Sequence, residues 1–167
     1  ICDVYKVGHP FQYPDKTTLV YSNLTPRKSR IPGVNKMVLF GLQYFIKEYL
    51  IKQFNEQFFS LSEIEVIASY RECVYAGLGK GCITVDHIRN LHKLGYLPVK
   101  IKAIPEGRSV NMGVPVLTIV NTVPEFYWVT NYLETIISNL LWKPITSASI
   151  AYSYKKLLLG FARETDA

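Results

Sequence analysis

The spacing of the apolar residues changes along this chain, which excludes both an all-helical bundle and an all-β sandwich. From Val38 to about Phe58 the apolar positions (Leu39, Leu42, Ile46, Tyr49, Leu50, Phe54) fall at helical spacing, with Lys47, Glu48 and Lys52 facing water. From Val99 to Ala103 the pattern alternates with period two, which predicts a strand with one wet face. Val114 to Val120 is apolar enough to predict a strand buried on both faces, and Thr17 to Asn23 is β-branched and aromatic and predicts another. The order mixes α and β without a strict β-α-β alternation.

Local signals place the remaining helices. Ser62-Glu63-Ile64-Glu65 is a capping box opening a helix to about Tyr75, which Gly77 to Gly81 ends. A short helix from Thr84 to Leu94 ends at Gly95, a residue suited to a left-handed cap. Thr122 to Glu125 reads as a second capping box launching a helix to about Leu141. Lys143-Pro144 is expected to break it, with Thr146 capping a last helix to about Ala162. Pro26 to Gly33 is a basic loop, and Pro105-Glu106-Gly107 is a turn. There is no repeat and no linker, so residues 1–167 read as one domain.

Composition narrows the function classes. The net charge of +6 suits a polyanionic ligand, but the densest basic cluster, Arg27-Lys28-Ser29-Arg30, is too short for a duplex-binding arm, so no nucleic acid is expected. Apolar residues make up 49% of the chain and charged ones 19%, a balance that leaves apolar surface for another domain or subunit. No stretch reaches the ~18 uninterrupted apolar residues of a membrane span. Cys2, Cys73 and Cys82 form no C-x-x-C pair, which suggests reduced thiols and a cytoplasmic protein. The chain begins with Ile rather than Met and is expected to be part of a longer protein.

Several tempting motifs read as ordinary structure. Gly77-Leu78-Gly79-Lys80-Gly81 follows a helix and lacks a Ser or Thr after the lysine, so it fits no phosphate loop. His87 and His92 are five apart, on different faces of a helix, and no metal site is expected. Asp3, His9 and Ser22 are the residue types of a catalytic triad without the geometry of one, and no catalytic residue is assigned. Ile104 to Gly107 with Met112 to Leu117 has the rhythm of a lipoyl-carrier hammerhead, but Asn111-Met112-Gly113 lacks the exposed lysine such a hairpin tip needs.

The opening is more specific. Asp3-Val4-Tyr5-Lys6-Val7-Gly8-His9, followed by Gln12-Tyr13-Pro14, resembles the start of the nicotinamide phosphoribosyltransferases. The likeness continues through Val20-Tyr21-Ser22, Arg27, Phe40 to Tyr44, Leu97 to Gly107, Asn121-Thr122, Tyr127-Trp128, Asn131, Glu134-Thr135 and Pro144 to Thr146. It implies an α+β fold, a largely antiparallel sheet with packed helices. The resemblance implies the amino-terminal domain of a type II phosphoribosyltransferase, with the carboxy-terminal α/β barrel expected to be missing from this chain. It also implies a head-to-tail homodimer with the site at the subunit interface. There Tyr5 stacks on the pyridine ring of nicotinamide, Asp3 lies beside it, and Arg27 meets the phosphates of phosphoribosyl pyrophosphate, with Mg2+ as cofactor. Gly8 stands where the family commonly has a small hydroxyl residue, and Thr25-Pro26 where it often has acidic ones. The alternatives are the sister nicotinate enzyme and a non-catalytic binding or regulatory module.

Overall fold

The structure, a computed structural model, describes residues 2–165. Two antiparallel sheets lie against one long helix. The larger has the order β1-β5-β3, built from β1 (Tyr21–Leu24), β5 (Leu117–Asn121) and β3 (Val99–Ala103). The smaller pairs β2 (Lys36–Val38) with β4 (Ser109–Asn111). Helix α1 (Leu42–Phe45) runs on as π-helical turns over Ile46–Gln53 and Asn55–Phe59; α2 (Glu63–Leu78), α3 (Asp86–Leu94) and α4 (Val129–Glu164) complete the fold. The α+β class and the antiparallel pairing are as the sequence predicts.

Strand β5 holds the centre of the larger sheet. Leu117 and Ile119 are buried and Thr118 and Val120 half-buried, so one face is covered, not both as the largely apolar run predicts. At its end Asn121 is 4% exposed and fully partnered: Nδ2 donates to the Thr18 and Val123 carbonyls, and Oδ1 accepts from the Val20 N–H. That side chain takes over the backbone groups of residues 18–20, so the strand expected from Thr17 begins only at Tyr21.

Two expected boundaries fall elsewhere. The helix expected from Val38 starts at Leu42, because residues 36–38 pair with β4 and Gly41 turns the chain at φ +91°. Pro144 does not end a helix: α4 runs through it for 36 residues. Its ring lies against Gly41, where a Cβ would come within 2.9 Å of Pro144 Cγ. Thr146 is no cap; its hydroxyl donates to the Trp142 carbonyl at 2.7 Å, and Ser149 Oγ donates to Ile145 at 2.6 Å while accepting the Val38 N–H. These side-chain bonds and the docked β2 strand support the helix beyond the proline. The Ser62 capping box forms as expected. The one expected at Thr122 does not: the Thr122 N–H donates to Pro98, and Glu125 accepts from Asn90.

The core gathers Leu39, Phe45, Val116, Leu117, Trp128, Val129, Leu133 and Leu141 from every layer. Beyond residue 150 α4 leaves the core, with Tyr154, Leu157, Leu158 and Phe161 exposed. Apolar surface for another domain or subunit is therefore present, as the composition predicts. Among the described residues no helix is long and apolar enough to cross a membrane.

His87 is half-buried between α2 and α4. Its Nε2 lies 3.3 Å from the Tyr70 hydroxyl and 3.2 Å from that of Tyr132, with Trp128 packed edge-on at 4.9 Å. Burial pushes the imidazole down from 6.5 to about 4, against a small upward pull from Asp86. Between those two values the unfolded chain binds a proton that the fold excludes. Stability therefore falls as pH drops through the window, by at most about 1.4 kcal/mol per pH unit. Urea midpoints at pH 7 and pH 5 should show this acid sensitivity in wild type and a smaller one in His87→Gln; equal sensitivity in both would show that His87 does not stay neutral.

Candidate functional site

The opening motif folds as a 3₁₀ helix, Val4–Phe11. Eight residues is long for a helix with strained hydrogen-bond geometry, so contacts from outside must hold it. They come from one stripe of α4 and the turn before it. Tyr127 Oη donates to the Pro10 carbonyl at 3.0 Å, and Tyr132 Oη to the Val7 carbonyl at 2.9 Å. Asn131 Nδ2 lies 2.6 Å from His9 Nδ1 and 3.2 Å from the Tyr13 hydroxyl. Glu134 Oε2 pairs with Lys6 Nζ at 2.7 Å, and Thr135 Oγ1 donates to Asp3 Oδ2 at 2.7 Å. Residues 127, 131 and 135 are four apart and 134 is three from 131, so all four lie on one side of the helix.

Lys6 is the pivot. Its side chain is 2% exposed, yet its ammonium meets Glu134 at 2.7 Å and Asp3 at 3.6 Å. Burial alone would pull its pKa down, but the hydrogen bond and charge of Glu134 outweigh it and the net shift is upward. The Asp3 carboxyl is held below the usual carboxylate range, chiefly by the Thr135 hydroxyl; partial desolvation opposes this and Lys6 adds to it. Both groups are therefore charged at neutral pH.

Because Lys6, Val7 and Pro10 point inward, Tyr5 points out. Its ring is 63% exposed and tilted against His9, with ring centres 5.5 Å apart. Asp3 and Tyr5 are thus brought together on one mounted segment. Arg27 lines clefts instead. It lines an open polar cleft of about 680 Å³ with Tyr13, Ser22, Asn131 and Glu134, and Asp3 and Tyr5 are not in that lining. Arg27 also borders a larger cleft of about 1360 Å³, between the basic loop with Lys28 and Arg30 and the outer half of α4 with Trp142 and Tyr154. Asn131 and Glu134 connect the two regions, each holding the 3₁₀ helix on one side and lining the polar cleft on the other.

The sequence motif includes Lys6 and His9 without a role, and the likeness that includes Asn131, Glu134 and Thr135 gives them none. The available signal was spacing: three polar residues on one stripe of a helix that buries Leu133, Ile136 and Ile137 around them. Among the described residues no group of three His, Cys, Asp or Glu side chains is placed to hold a metal ion. His92 Nε2 lies 2.9 Å from the Leu61 carbonyl, away from His87. The glycines near Lys80 form an exposed loop after α2.

Comparison with known proteins decides the family. The family profile "Nicotinamide phosphoribosyltransferase, N-terminal domain" matches residues 1–101. The chain belongs to the nicotinamide phosphoribosyltransferase family. It is 50% identical, over 99% of its length, to the nicotinamide phosphoribosyltransferase of Acinetobacter baylyi, of which it covers 34%. It is 29% identical, over 98% of its length, to that of Mycoplasma pneumoniae, of which it covers 39%. The chain therefore spans roughly a third of the length of these relatives, as expected of an amino-terminal part. A crystal structure of human nicotinic acid phosphoribosyltransferase superposes with a TM-score of 0.63 at 19% identity, covering 90% of this chain and 27% of that one. At that identity the likeness concerns the fold alone.

Within this nicotinamide phosphoribosyltransferase domain the Lys6–Glu134 pair joins the matched opening motif to a helix beyond the profile's end. Glu134→Gln leaves the buried ammonium with Asp3 as its one acid partner. It should cost about 1–3 kcal/mol, toward the lower end because Glu134 is 66% exposed. In urea unfolding Lys6→Met with Glu134→Gln should cost less than the sum of the single changes. Additive costs, or a Glu134→Gln cost within error of zero, would show that the pair does not hold the segment.

Proposed function

We propose that the protein containing this chain transfers the phosphoribosyl group of phosphoribosyl pyrophosphate to nicotinamide. The products are nicotinamide mononucleotide, a precursor of NAD, and pyrophosphate. The observation that carries this reading is the mounted opening motif of a nicotinamide phosphoribosyltransferase: an exposed Tyr5 ring beside an ionised Asp3, both tied to α4.

In the reaction the pyridine nitrogen lone pair forms the bond to the anomeric carbon while the bond to pyrophosphate breaks, and pyrophosphate leaves with the electron pair. Tyr5 offers a flat face to the flat pyridine ring. Asp3 offers an acceptor for an amide N–H of the base, a preference an acid substrate would not satisfy. Arg27 offers a guanidinium fork to phosphate oxygens. Arg27 lines clefts that Tyr5 and Asp3 do not, which supports a composite site in which Tyr5 and Asp3 reach a second subunit of a head-to-tail homodimer in the cytoplasm. Mg2+ would accompany the phosphoribosyl pyrophosphate substrate and help to neutralise the departing pyrophosphate. The apolar outer half of α4 is assigned to the interface with the carboxy-terminal barrel of the complete protein. The chain by itself, with one edge of the site, is assigned no turnover.

The full-length protein, given phosphoribosyl pyrophosphate, Mg2+ and either nicotinamide or nicotinate, should form the mononucleotide from nicotinamide. Tyr5→Ala should lower kcat/KM for nicotinamide by about tenfold or more, the scale of losing one buried aromatic contact. Turnover with nicotinate alone would assign the sister activity, and none with either base would leave a binding or regulatory module.

A further inference from the structure

We propose that Thr135 is a positioning residue of the pyridine site, acting through Asp3 to set where Tyr5 presents its ring. The inference rests on the reading of Tyr5 and Asp3 given above and adds a residue to which neither the sequence motif nor the family match gives a role.

Asp3 occupies the N-cap position of the 3₁₀ helix, with φ −67° and ψ 138°. An aspartate there ordinarily turns its carboxylate onto the free N–H groups of its own first turn. Asp3 makes no such side-chain bond. Its carboxylate instead crosses to α4 and accepts from the Thr135 hydroxyl at 2.7 Å, while its own N–H donates to the same oxygen at 3.4 Å. Thr135 thus holds both the backbone and the side chain of one residue. The Asp3 carbonyl in turn accepts the Lys6 N–H at 2.9 Å, which closes the turn that carries Tyr5.

The neighbouring contacts are of a different kind. Glu134 holds Lys6 and Asn131 holds His9, and both residues are gripped along the body of the helix. Thr135 contacts the residue proposed to touch the base. Losing its hydroxyl frees the Asp3 carboxylate to turn back onto its own helix and lets the entry of the chain shift. The proposed effect is on recognition of the base, with the transfer step itself spared.

The test is steady-state kinetics of the full-length protein with Thr135→Val, which removes the hydroxyl and keeps the shape, and Thr135→Ser, which keeps the hydroxyl. Thr135→Val should raise KM for nicotinamide about tenfold, the scale of one hydrogen bond to a charged group. Its kcat and its KM for phosphoribosyl pyrophosphate should stay within about twofold, and Thr135→Ser should restore the wild-type KM. An unchanged KM in Thr135→Val, or a loss that serine does not restore, overturns the positioning role alone. If the valine variant does not fold, a cycle of Asp3→Asn with Thr135→Ala serves: the double variant should be no worse than Asp3→Asn, and additive losses overturn the proposal. Failure of the wild type to use nicotinamide overturns the functional reading and this inference together.

Discussion

A buried lysine ammonium governs the architecture of the amino-terminal segment. Lys6 is almost wholly removed from water, and a charge in that position is tolerated only with acids at hand. Glu134 supplies one from 128 positions along the chain and Asp3 the other from three positions before it. Turning Lys6 inward in a 3₁₀ helix also fixes which residues face out. Tyr5 is exposed because its neighbour is not. The exposure of the residue proposed to meet the substrate is thus a consequence of the ion pair.

The mount is stiff because α4 is part of the core. Between the polar contacts to the opening segment, Val129, Leu133, Ile136, Ile137 and Leu141 pack beneath the sheet and are buried. One helix therefore serves two purposes with two faces. Its apolar face is anchored by β5 and by α1, and its polar stripe receives Asp3, Lys6 and His9. Farther along, the same helix passes Pro144 with help from Gly41 and Ser149 and ends in exposed apolar side chains.

Much of the fold was legible in the sequence because its signals are local. The Ser62 capping box, the Gly95 cap and the alternation of Val99 to Ala103 each depend on a few neighbouring residues and appear as expected. The misplacements have tertiary causes. Asn121 replaces a strand with side-chain bonds, β4 captures residues 36–38 from an expected helix, and a glycine far away in sequence makes room for Pro144. The site divides in the same way. The motif that holds Asp3, Tyr5, Lys6 and His9 is contiguous, whereas Asn131, Glu134 and Thr135, part of the sequence likeness but without a role in it, reach that motif across more than 120 residues, and only the fold shows what they hold.

The central claim is that the opening segment is a rigid part of the fold, held by α4 before any substrate arrives. Native-state amide hydrogen exchange of the full-length protein without ligands tests it most directly. The Lys6 N–H, bonded to the Asp3 carbonyl, should exchange slowly, at rates approaching those of amides in the buried stretch of α4 around Leu133. Exchange as fast as in the exposed basic loop around Lys28 would contradict the account, because Tyr5 would then be carried on a segment that orders only when substrate binds.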